Sequence, residues 1–230
     1  MNWLQERHVA AIGMPVEPDA SERATAGNPK DLPKEQAAVA FWLSKKYKVA
    51  PEPLSVLVAE AYDIGTRTKL DPTLILAIMA IESNFNPFAQ SAVGAQGLMQ
   101  VMTRVHTEKY QNFGGHFAAF DPVSNLRVGV KVLQECIARA GSIEGGLRYY
   151  VGAANLPDDG GYTAKVMAEH SRLRQVANGR SVPVNAPVML STQAPAATPS
   201  QAVPAASRNA GERPSAEAES KVALLGSVGS

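Results

Sequence analysis

The sequence of 230 residues predicts an all-α fold, a compact bundle of about six to eight helices followed by a disordered C-terminal tail. Three observations support this prediction. Apolar side chains recur at helical spacing between residues 34 and 179, no stretch alternates apolar and polar residues between hairpin turns, and two Asp-Pro pairs stand where helices would begin.

Composition divides the chain into three parts. Residues 1–33 contain several prolines and little periodicity, so they are predicted to form a mobile N-terminal lead-in. Residues 34–179 form the helical domain. Residues 180–230 are rich in Pro, Ala and Ser and contain no aromatic residue, so this tail cannot bury enough apolar surface to offset the entropy of ordering.

Within the helical domain, each predicted helix has its own signals. "KEQAAVAFWLSKKYKV" places Phe41 and Trp42 on its apolar side, and "EPLSVLVAEAYDIGTRTKL" carries a continuous apolar stripe. Asp71-Pro72 and Asp121-Pro122 each combine a good N-cap with a proline suited to the first helical position, and Gly141 ends the second of these helices. Shorter helices are expected at about 97–110, 143–152 and 162–177.

Charge and cysteine content exclude several classes of function. The formal net charge is +1 and no basic cluster with interleaved aromatics occurs, so nucleic acid is not an expected partner. Cys136, the single cysteine, is read as a structural thiol within a helix, and the four histidines share no ligand spacing, so neither a metal nor another cofactor is expected. No segment approaches the roughly 20 apolar residues of a transmembrane helix.

Glu82 is the first candidate for chemistry. It follows the apolar run Leu74–Ile81 and falls in the last turn of the helix that begins at Pro72, which is apolar nearly all round and is expected to be the central, buried helix. Burial and the negative end of the helix dipole both disfavour an ionised carboxylate, so its pKa is expected to rise. A carboxyl that stays protonated near neutral pH can act as a general acid; the alternative is a glutamate that caps the helix end or pairs with a nearby cation.

The residues after Glu82 favour the catalytic interpretation of this glutamate over the structural one. "ESNFNPFAQSAVGAQGLMQVM" joins the glutamate to a small-residue loop containing Gly94 and Gly97, and then to a Gly-Leu-Met-Gln sequence. This block resembles the signature of the soluble lytic transglycosylases, whose catalytic domain has a goose-type-lysozyme-like fold. "DPVSNLRVGVKVL" is similar to the family's Asn-containing helix, and "LRYYVGAAN" looks like a variant of its Ala-Tyr-Asn-Ala-Gly segment. The resemblance covers roughly residues 54–176.

The resemblance implies roles for individual residues. Glu82 would be the single catalytic acid and base, and Tyr150 the tyrosine that orients it, although a shift of one residue would make Tyr149 the partner. The residues implied in substrate binding are Ser91, Gln100, Met102, Asn125 and Tyr162. One departure is Val151, which stands where the family usually has asparagine and removes a polar contact.

The implied reaction is cleavage of the β-1,4 bond between N-acetylmuramic acid and N-acetylglucosamine, with formation of a 1,6-anhydro ring. Most glycosidases use two carboxylates, but substrate-assisted enzymes are an exception. Glu60, Asp63 and Glu108 are interpreted as solvated surface charges and not as a second catalytic carboxylate. The alternatives are a lysozyme-type hydrolase of the same bond and a non-catalytic relative that only binds peptidoglycan.

Location and partners follow from that substrate. Peptidoglycan glycan strands are the expected ligand, so a periplasmic or cell-envelope site of action is expected, although the N-terminal residues do not resemble a secretory signal. The tail is a candidate segment for contact with cell-envelope or secretion-machinery proteins, and nothing in its composition names one.

Overall fold

The computed structural model describes residues 27–185, and their secondary structure is almost entirely helical. The α-helices are α1 (Lys34–Tyr47), α2 (Pro51–Thr68), α3 (Pro72–Ser83), α4 (Thr107–Tyr110), α5 (Pro122–Ala140), α6 (Ile143–Tyr150) and α7 (Tyr162–Ala177). Short 3-10 helices cover Pro29–Asp31, Gln111–Phe113 and His116–Phe120. The all-α prediction is confirmed.

Helix α3 is the centre of the fold, as its apolar sequence predicts. Every side chain from Thr73 to Ala80 is buried, and the helix packs against α2 and α7. At its start, Asp71 accepts a hydrogen bond from the Thr73 backbone N–H at 2.8 Å, with Pro72 in the first turn. The helix ends at Asn84, whose φ of 50° is left-handed. Glu82 therefore projects from a helix that the core holds on nearly all sides.

Helices α5 and α6 form a second packed pair, which lies beside the loop that follows α3. Asp121 caps α5 through the Ser124 backbone N–H and Gly141 ends α5 with a φ of 74°, both as predicted. Gly129 of α5 lies against Met99, and a Cβ at this position would come within 2.5 Å of the Met99 sulfur. The glycine thus lets the loop approach α5 closely.

The prediction of a helix over 97–110 is wrong. Residues Ala95–Gln96 (β1) and Val101–Met102 (β2) form a short antiparallel pair in the register Ala95↔Met102 and Gln96↔Val101, and helix appears only in α4. Gly97 has a φ of 77° and Gln100 a φ of 46°, both incompatible with a right-handed helix. Two-residue strands are also too short to show the alternation by which a strand is recognised in a sequence.

One predicted core residue is misplaced. Phe41 is 63% exposed, whereas Trp42 and Leu43 in the same helix are buried as expected. The buried stripe of α1 includes Val39 and Ala40 instead, so the apolar face is rotated relative to the prediction.

The predicted lead-in and tail lie mostly outside the described residues. Of the lead-in, residues 27–33 are described and include the 3-10 helix Pro29–Asp31, whose first turn Asn28 caps. Of the tail, residues 180–185 are described, and the Trp42 indole N–H donates to the Val182 carbonyl at 2.8 Å. Within 27–185, no helix combines the length and the apolar character needed to cross a bilayer.

Candidate active site

Glu82 is half-buried in the last turn of α3, and burial raises the pKa of its carboxyl to about 7. Its hydrogen bond with Tyr162 acts in the opposite direction and only partly offsets the effect of burial. The orientation of α3 adds a further unfavourable influence on the anion, because the C-terminal end of a helix carries partial negative charge. A group with this pKa exchanges its proton near neutral pH, as a general acid and base must.

The hydroxyl that contacts Glu82 belongs to Tyr162. It donates to Glu82 Oε1 at 2.6 Å from the first residue of α7 and is itself only 8% exposed. The start of α7 is fixed by Asp159, which accepts hydrogen bonds from the backbone N–H groups of Gly161 and Thr163 at 2.9 and 3.0 Å. Tyr162 is therefore held by a capped helix terminus, which limits the freedom of the carboxyl it contacts.

Tyr150, the residue expected to orient Glu82, makes a different hydrogen bond. Its hydroxyl donates to the Met99 carbonyl at 2.8 Å. Burial raises the pKa of Tyr150 well above its usual value, and the charge of Glu82 raises that pKa further. The expected contact is corrected on this point: Tyr162 makes it, and Tyr150 supports the loop beside the carboxyl.

The alternative partner, Tyr149, faces elsewhere. Its ring lies 5.7 Å from the guanidinium carbon of Arg139 on α5. Val151, at the end of α6, is 41% exposed.

The chain after Glu82 turns sharply. Ser83 Oγ lies 2.8 Å from the Leu98 carbonyl and 3.1 Å from the Met79 carbonyl, so it connects α3 to the following loop. Asn84 and Phe85 then adopt positive φ values of 50° and 64°, which is unusual for an aromatic residue. Phe85 is buried, and its ring contacts that of Tyr47 edge-on with centroids 5.2 Å apart. This packing stabilises a strained turn next to the candidate catalytic group.

Three of the predicted substrate-binding residues lie on the loop between α3 and α4. Ser91 closes a turn by accepting the Ala95 N–H on its hydroxyl at 3.0 Å, and Gln100 donates from Nε2 to the Ala89 and Gly97 carbonyls, both at 3.0 Å. Met102 is half-buried in β2. The amide nitrogen of Gln100 is thus used to hold the loop, while the expected sugar contacts of all three residues remain predictions.

Asn125 does not have the role expected of it. Its side chain has no exposed surface, so in this conformation it cannot contact a sugar. Its Oδ1 accepts the Met99 N–H at 2.8 Å, and its Nδ2 lies 2.9 to 3.0 Å from three acceptors, the carbonyls of Gln96 and Ala119 and the Tyr110 hydroxyl. The amide supports the loop from below and positions it relative to α5.

The interpretation of Glu60 also needs correction. It is only 14% exposed at its side chain and forms an ion pair with Arg127 at 2.7 Å, so it is not a solvated surface charge. Glu108, 61% exposed at its side chain, does lie on the surface as expected. Among residues 27–185 no group of three or more His, Cys, Asp or Glu side chains is arranged to hold a metal ion.

Sequence reasoning missed two features of the site. The edge-on contact of Tyr47 with Phe85 joins residues far apart in sequence, and no local pattern predicts it. Asp159 carried a usable signal, since it is a carboxylate shortly before the start of a helix, where side-chain capping is favoured.

Comparison with known proteins identifies the family. Residues 43–168 match the sequence model of the Transglycosylase SLT domain. The chain is 32% identical over 118 residues to the transglycosylase of Enterobacteria phage PRD1, an alignment that covers 51% of this chain and 43% of the phage protein. It is 29% identical over 136 residues to the type IV secretion system protein virB1 of Brucella abortus biovar 1 (strain 9-941), which covers 42% of this chain and 57% of that protein.

A third relative is the membrane-bound lytic murein transglycosylase C of Mannheimia succiniciproducens, 38% identical over 73 residues, or 29% of this chain and 20% of that protein. The chain therefore spans between about a fifth and three fifths of the length of these relatives. The family match, in contrast, extends from the end of α1 into α7 and includes Glu82, Tyr150 and Tyr162. Because the family model matches more than half of the sequence, the chain belongs to the Transglycosylase SLT domain family.

Proposed function

We propose that this protein is a peptidoglycan lytic transglycosylase in which Glu82 is the single catalytic acid and base. The observation that carries the proposal is the setting of Glu82, a half-buried carboxyl with a pKa near 7 and a tyrosine hydroxyl as its hydrogen-bond partner. Within 27–185 this carboxyl has no ion-pair partner, so its protonation follows the pH and the substrate. The name of one relative, a membrane-bound lytic murein transglycosylase, supports the same substrate class, and the name of the phage relative supports the same type of reaction.

In the first step Glu82 acts as an acid. Its proton passes to the oxygen that links C1 of N-acetylmuramic acid to N-acetylglucosamine, and the C1–O bond breaks. The N-acetyl group of the substrate stabilises the developing positive charge at C1, so a second protein carboxylate is not needed. The raised pKa supports this step, because a carboxyl of ordinary pKa would already be ionised at neutral pH.

In the second step the same carboxylate acts as a base. Glu82 takes the proton of the muramoyl 6-hydroxyl, the 6-oxygen bonds to C1, and a 1,6-anhydro ring closes. The proton that Glu82 gave to the leaving sugar is thereby replaced, and no water is consumed. Tyr162 would hold the carboxyl in one orientation through both steps and would stabilise its ionised form between them.

The products provide the test. Purified sacculi incubated with the full chain should release muropeptides that are one water lighter than those released by a hydrolase. Glu82→Gln protein with an unchanged circular dichroism spectrum serves as the control and should release almost nothing. Reducing ends in place of anhydro ends would show that the reaction is a hydrolysis, and folded wild-type protein that binds sacculi without releasing fragments would be a binding protein only.

The site of action and the partners are proposed from the same chemistry. The substrate places the activity in the periplasm or cell envelope. The relationship to a type IV secretion system protein suggests that local opening of the wall for a secretion machine is a candidate role. Cell fractionation with the native protein found only in cytosol would contradict the proposed location.

A further inference from the structure

A pocket of about 340 Å³ lies next to the candidate active site, between α5, α6 and the turn that precedes α4. Its volume falls in the range of about 300–1,000 Å³ that is usual for ligand sites. Its lining includes side chains of both charges and a histidine, and the residues used below are His106, Glu135, Arg139, Tyr149 and Tyr150. The functions considered so far do not use this pocket.

Two structural elements connect the pocket to the active site. Tyr150 is part of its wall and also donates to the Met99 carbonyl in the loop beside Glu82. The pocket is also lined by His106, whose backbone N–H donates to the Met102 carbonyl at 3.1 Å, so this part of the lining continues directly from β2, where a sugar contact is expected. A sugar held near Met102 and Tyr150 would therefore have its substituents within reach of the pocket.

The charges of the pocket are arranged on one helix. Glu135 and Arg139 are four residues apart on α5 and so lie on the same face, at the pocket. Glu135 accepts an ion pair from Lys109 at 2.9 Å, which holds its carboxylate at one end. Arg139 stacks near the Tyr149 ring and, within the described chain, has no carboxylate partner. A guanidinium in this state is a ready site for a carboxylate, because it can form two parallel hydrogen bonds with one.

His106 adds a neutral polar group. Burial lowers the pKa of its imidazole and the nearby Lys109 lowers it further, although the carboxylates of Glu108 and Glu135 oppose this. The pocket thus offers a cation at Arg139, an anion at Glu135 and a neutral donor or acceptor between α4 and α5. Such a site fits a ligand that carries both carboxylates and an amine.

We propose that this pocket binds the acidic peptide stem attached to the muramic acid residue beside the cleaved bond, with Arg139 bound to a stem carboxylate and Glu135 facing its amine. The proposal rests on the function proposed above, since it takes peptidoglycan as the substrate. Binding of the stem in this pocket would make the protein selective for peptide-bearing strands over glycan strands from which the peptides have been removed.

The first experiment measures binding without turnover. Full-length Glu82→Gln protein is titrated calorimetrically with free stem peptide, a tetrapeptide with several carboxylates and one side-chain amine. In this background Arg139→Gln should weaken binding about tenfold, the size expected for loss of a hydrogen bond between charged groups. Arg139→Glu should weaken binding more, because it places like charges together. Arg180→Gln, an exposed arginine outside the pocket, is the matched control and should bind as the parent does.

The second experiment measures turnover on two substrates. Sacculi that retain their peptides are compared with strands treated with an amidase, which keep the muramoyl carboxylate but lose the stem. Arg139→Gln should lower kcat/KM about tenfold on peptide-bearing strands and leave the naked strands unaffected. An equal loss on both substrates would mean that Arg139 recognises the muramoyl carboxylate or supports the fold, and either result would overturn the proposal.

The two proposals can fail separately. If the peptide binds in a manner that depends on Arg139 but no anhydro products form, the proposed reaction is wrong and the pocket assignment stands. If anhydro products form while the free peptide does not bind, or binds equally to the Arg139 variants, the reaction stands and the peptide pocket is wrong.

Discussion

Helix α3 carries a carboxylate at each end, and the pKa values of the two carboxyls are shifted in opposite directions. At the N-terminus, Asp71 is acted on by burial, which would raise its pKa, but hydrogen bonds with His170 and Thr73 outweigh burial and hold the pKa well below its usual range. At the C-terminus, Glu82 is also acted on mainly by burial, and the single bond from Tyr162 is too weak to prevent a rise to about 7. The helix dipole favours the anion at the first end and disfavours it at the second.

The difference shows how one apolar helix can carry a stabilising carboxylate at its first end and, under the proposed function, a reactive one at its last. Asp71 has its charge satisfied three times over, by the Thr73 backbone N–H at 2.8 Å, the Thr73 hydroxyl at 2.6 Å and His170 Nε2 at 3.0 Å, and it anchors the helix. Glu82 has one hydrogen bond, from Tyr162, and keeps its proton available. A carboxylate in a helix cap is therefore structural when its partners stabilise the charged form, and chemically useful when burial is left largely unopposed.

The largest effect is expected when each carboxylate is replaced by the amide of the same shape, in Glu82→Gln and Asp71→Asn. Glu82→Gln should lower kcat on sacculi by about a thousandfold or more, because it removes both general acid and general base catalysis. Asp71→Asn should keep kcat within a few-fold of wild type, since asparagine also caps helices. The measurement is the rate of muropeptide release from sacculi. Comparable losses in both variants would show that Glu82 acts through the fold and not through proton transfer.

The pH dependence of stability should differ in sign between the same two variants. The folded pKa of Glu82 lies above its unfolded value, so the folded state loses stability as pH rises from about 4.5 to 7. Glu82→Gln should therefore match the wild-type free energy of unfolding at acid pH and exceed it by about 3 kcal/mol above pH 7. Asp71 has a lowered folded pKa, so its contribution is present above its unfolded pKa and disappears in acid.

For Asp71→Asn the expected loss near pH 7 is about 1 kcal/mol, kept small by solvent screening of a side chain that is 37% exposed. Urea unfolding followed by circular dichroism between pH 2 and 9 measures both variants, because the contribution of Asp71 changes only below about pH 4. Stability curves of the two variants that run parallel to the wild-type curve would remove the electrostatic distinction between the two ends of α3.

A smaller effect separates the two tyrosines near Glu82. The hydroxyl of Tyr162 lowers the pKa of Glu82, so Tyr162→Phe should move the alkaline limb of the kcat/KM profile to higher pH. Loss of orientation should also lower the maximal rate by about tenfold or less. Tyr150→Phe is the matched control, because its hydroxyl is bonded to the Met99 carbonyl, and it should lower stability without moving the limb. If the alkaline limb moved in Tyr150→Phe and not in Tyr162→Phe, Tyr150 would be the residue that orients Glu82, as the sequence predicted.

What the sequence predicted well was set by local chemistry. The caps at Asp71 and Asp121, the end at Gly141 and the burial of α3 each depend on residues that are neighbours in the chain. The position of Glu82 in the last turn of α3, and the direction of its pKa, followed from the same signals.

What the sequence predicted poorly depends on packing between distant segments. Whether Tyr150 or Tyr162 reaches Glu82 is decided by how α6 and α7 pack around α3, and no spacing within either helix encodes it. The segment expected as a helix over 97–110 is instead a loop that Asn125 helps to hold, since its Oδ1 accepts the N–H of Met99, 26 positions earlier in the chain. The burial of Asn125 could not be predicted from the sequence either, since an asparagine near the start of a helix usually faces solvent.

Asn125 has one more consequence. Through a single amide it connects the Gln96–Met99 segment and the end of the Ala119 turn to α5, and its bonds to Met99 and Ala119 are buried while its bond to Gln96 is partly buried. The Met99 backbone amide, whose N–H donates to Asn125, should therefore exchange with solvent only when the surrounding core opens. A segment held in this way is expected to keep its shape when a ligand binds. Under the function proposed above, a glycan strand would enter a groove whose wall is already formed on this side.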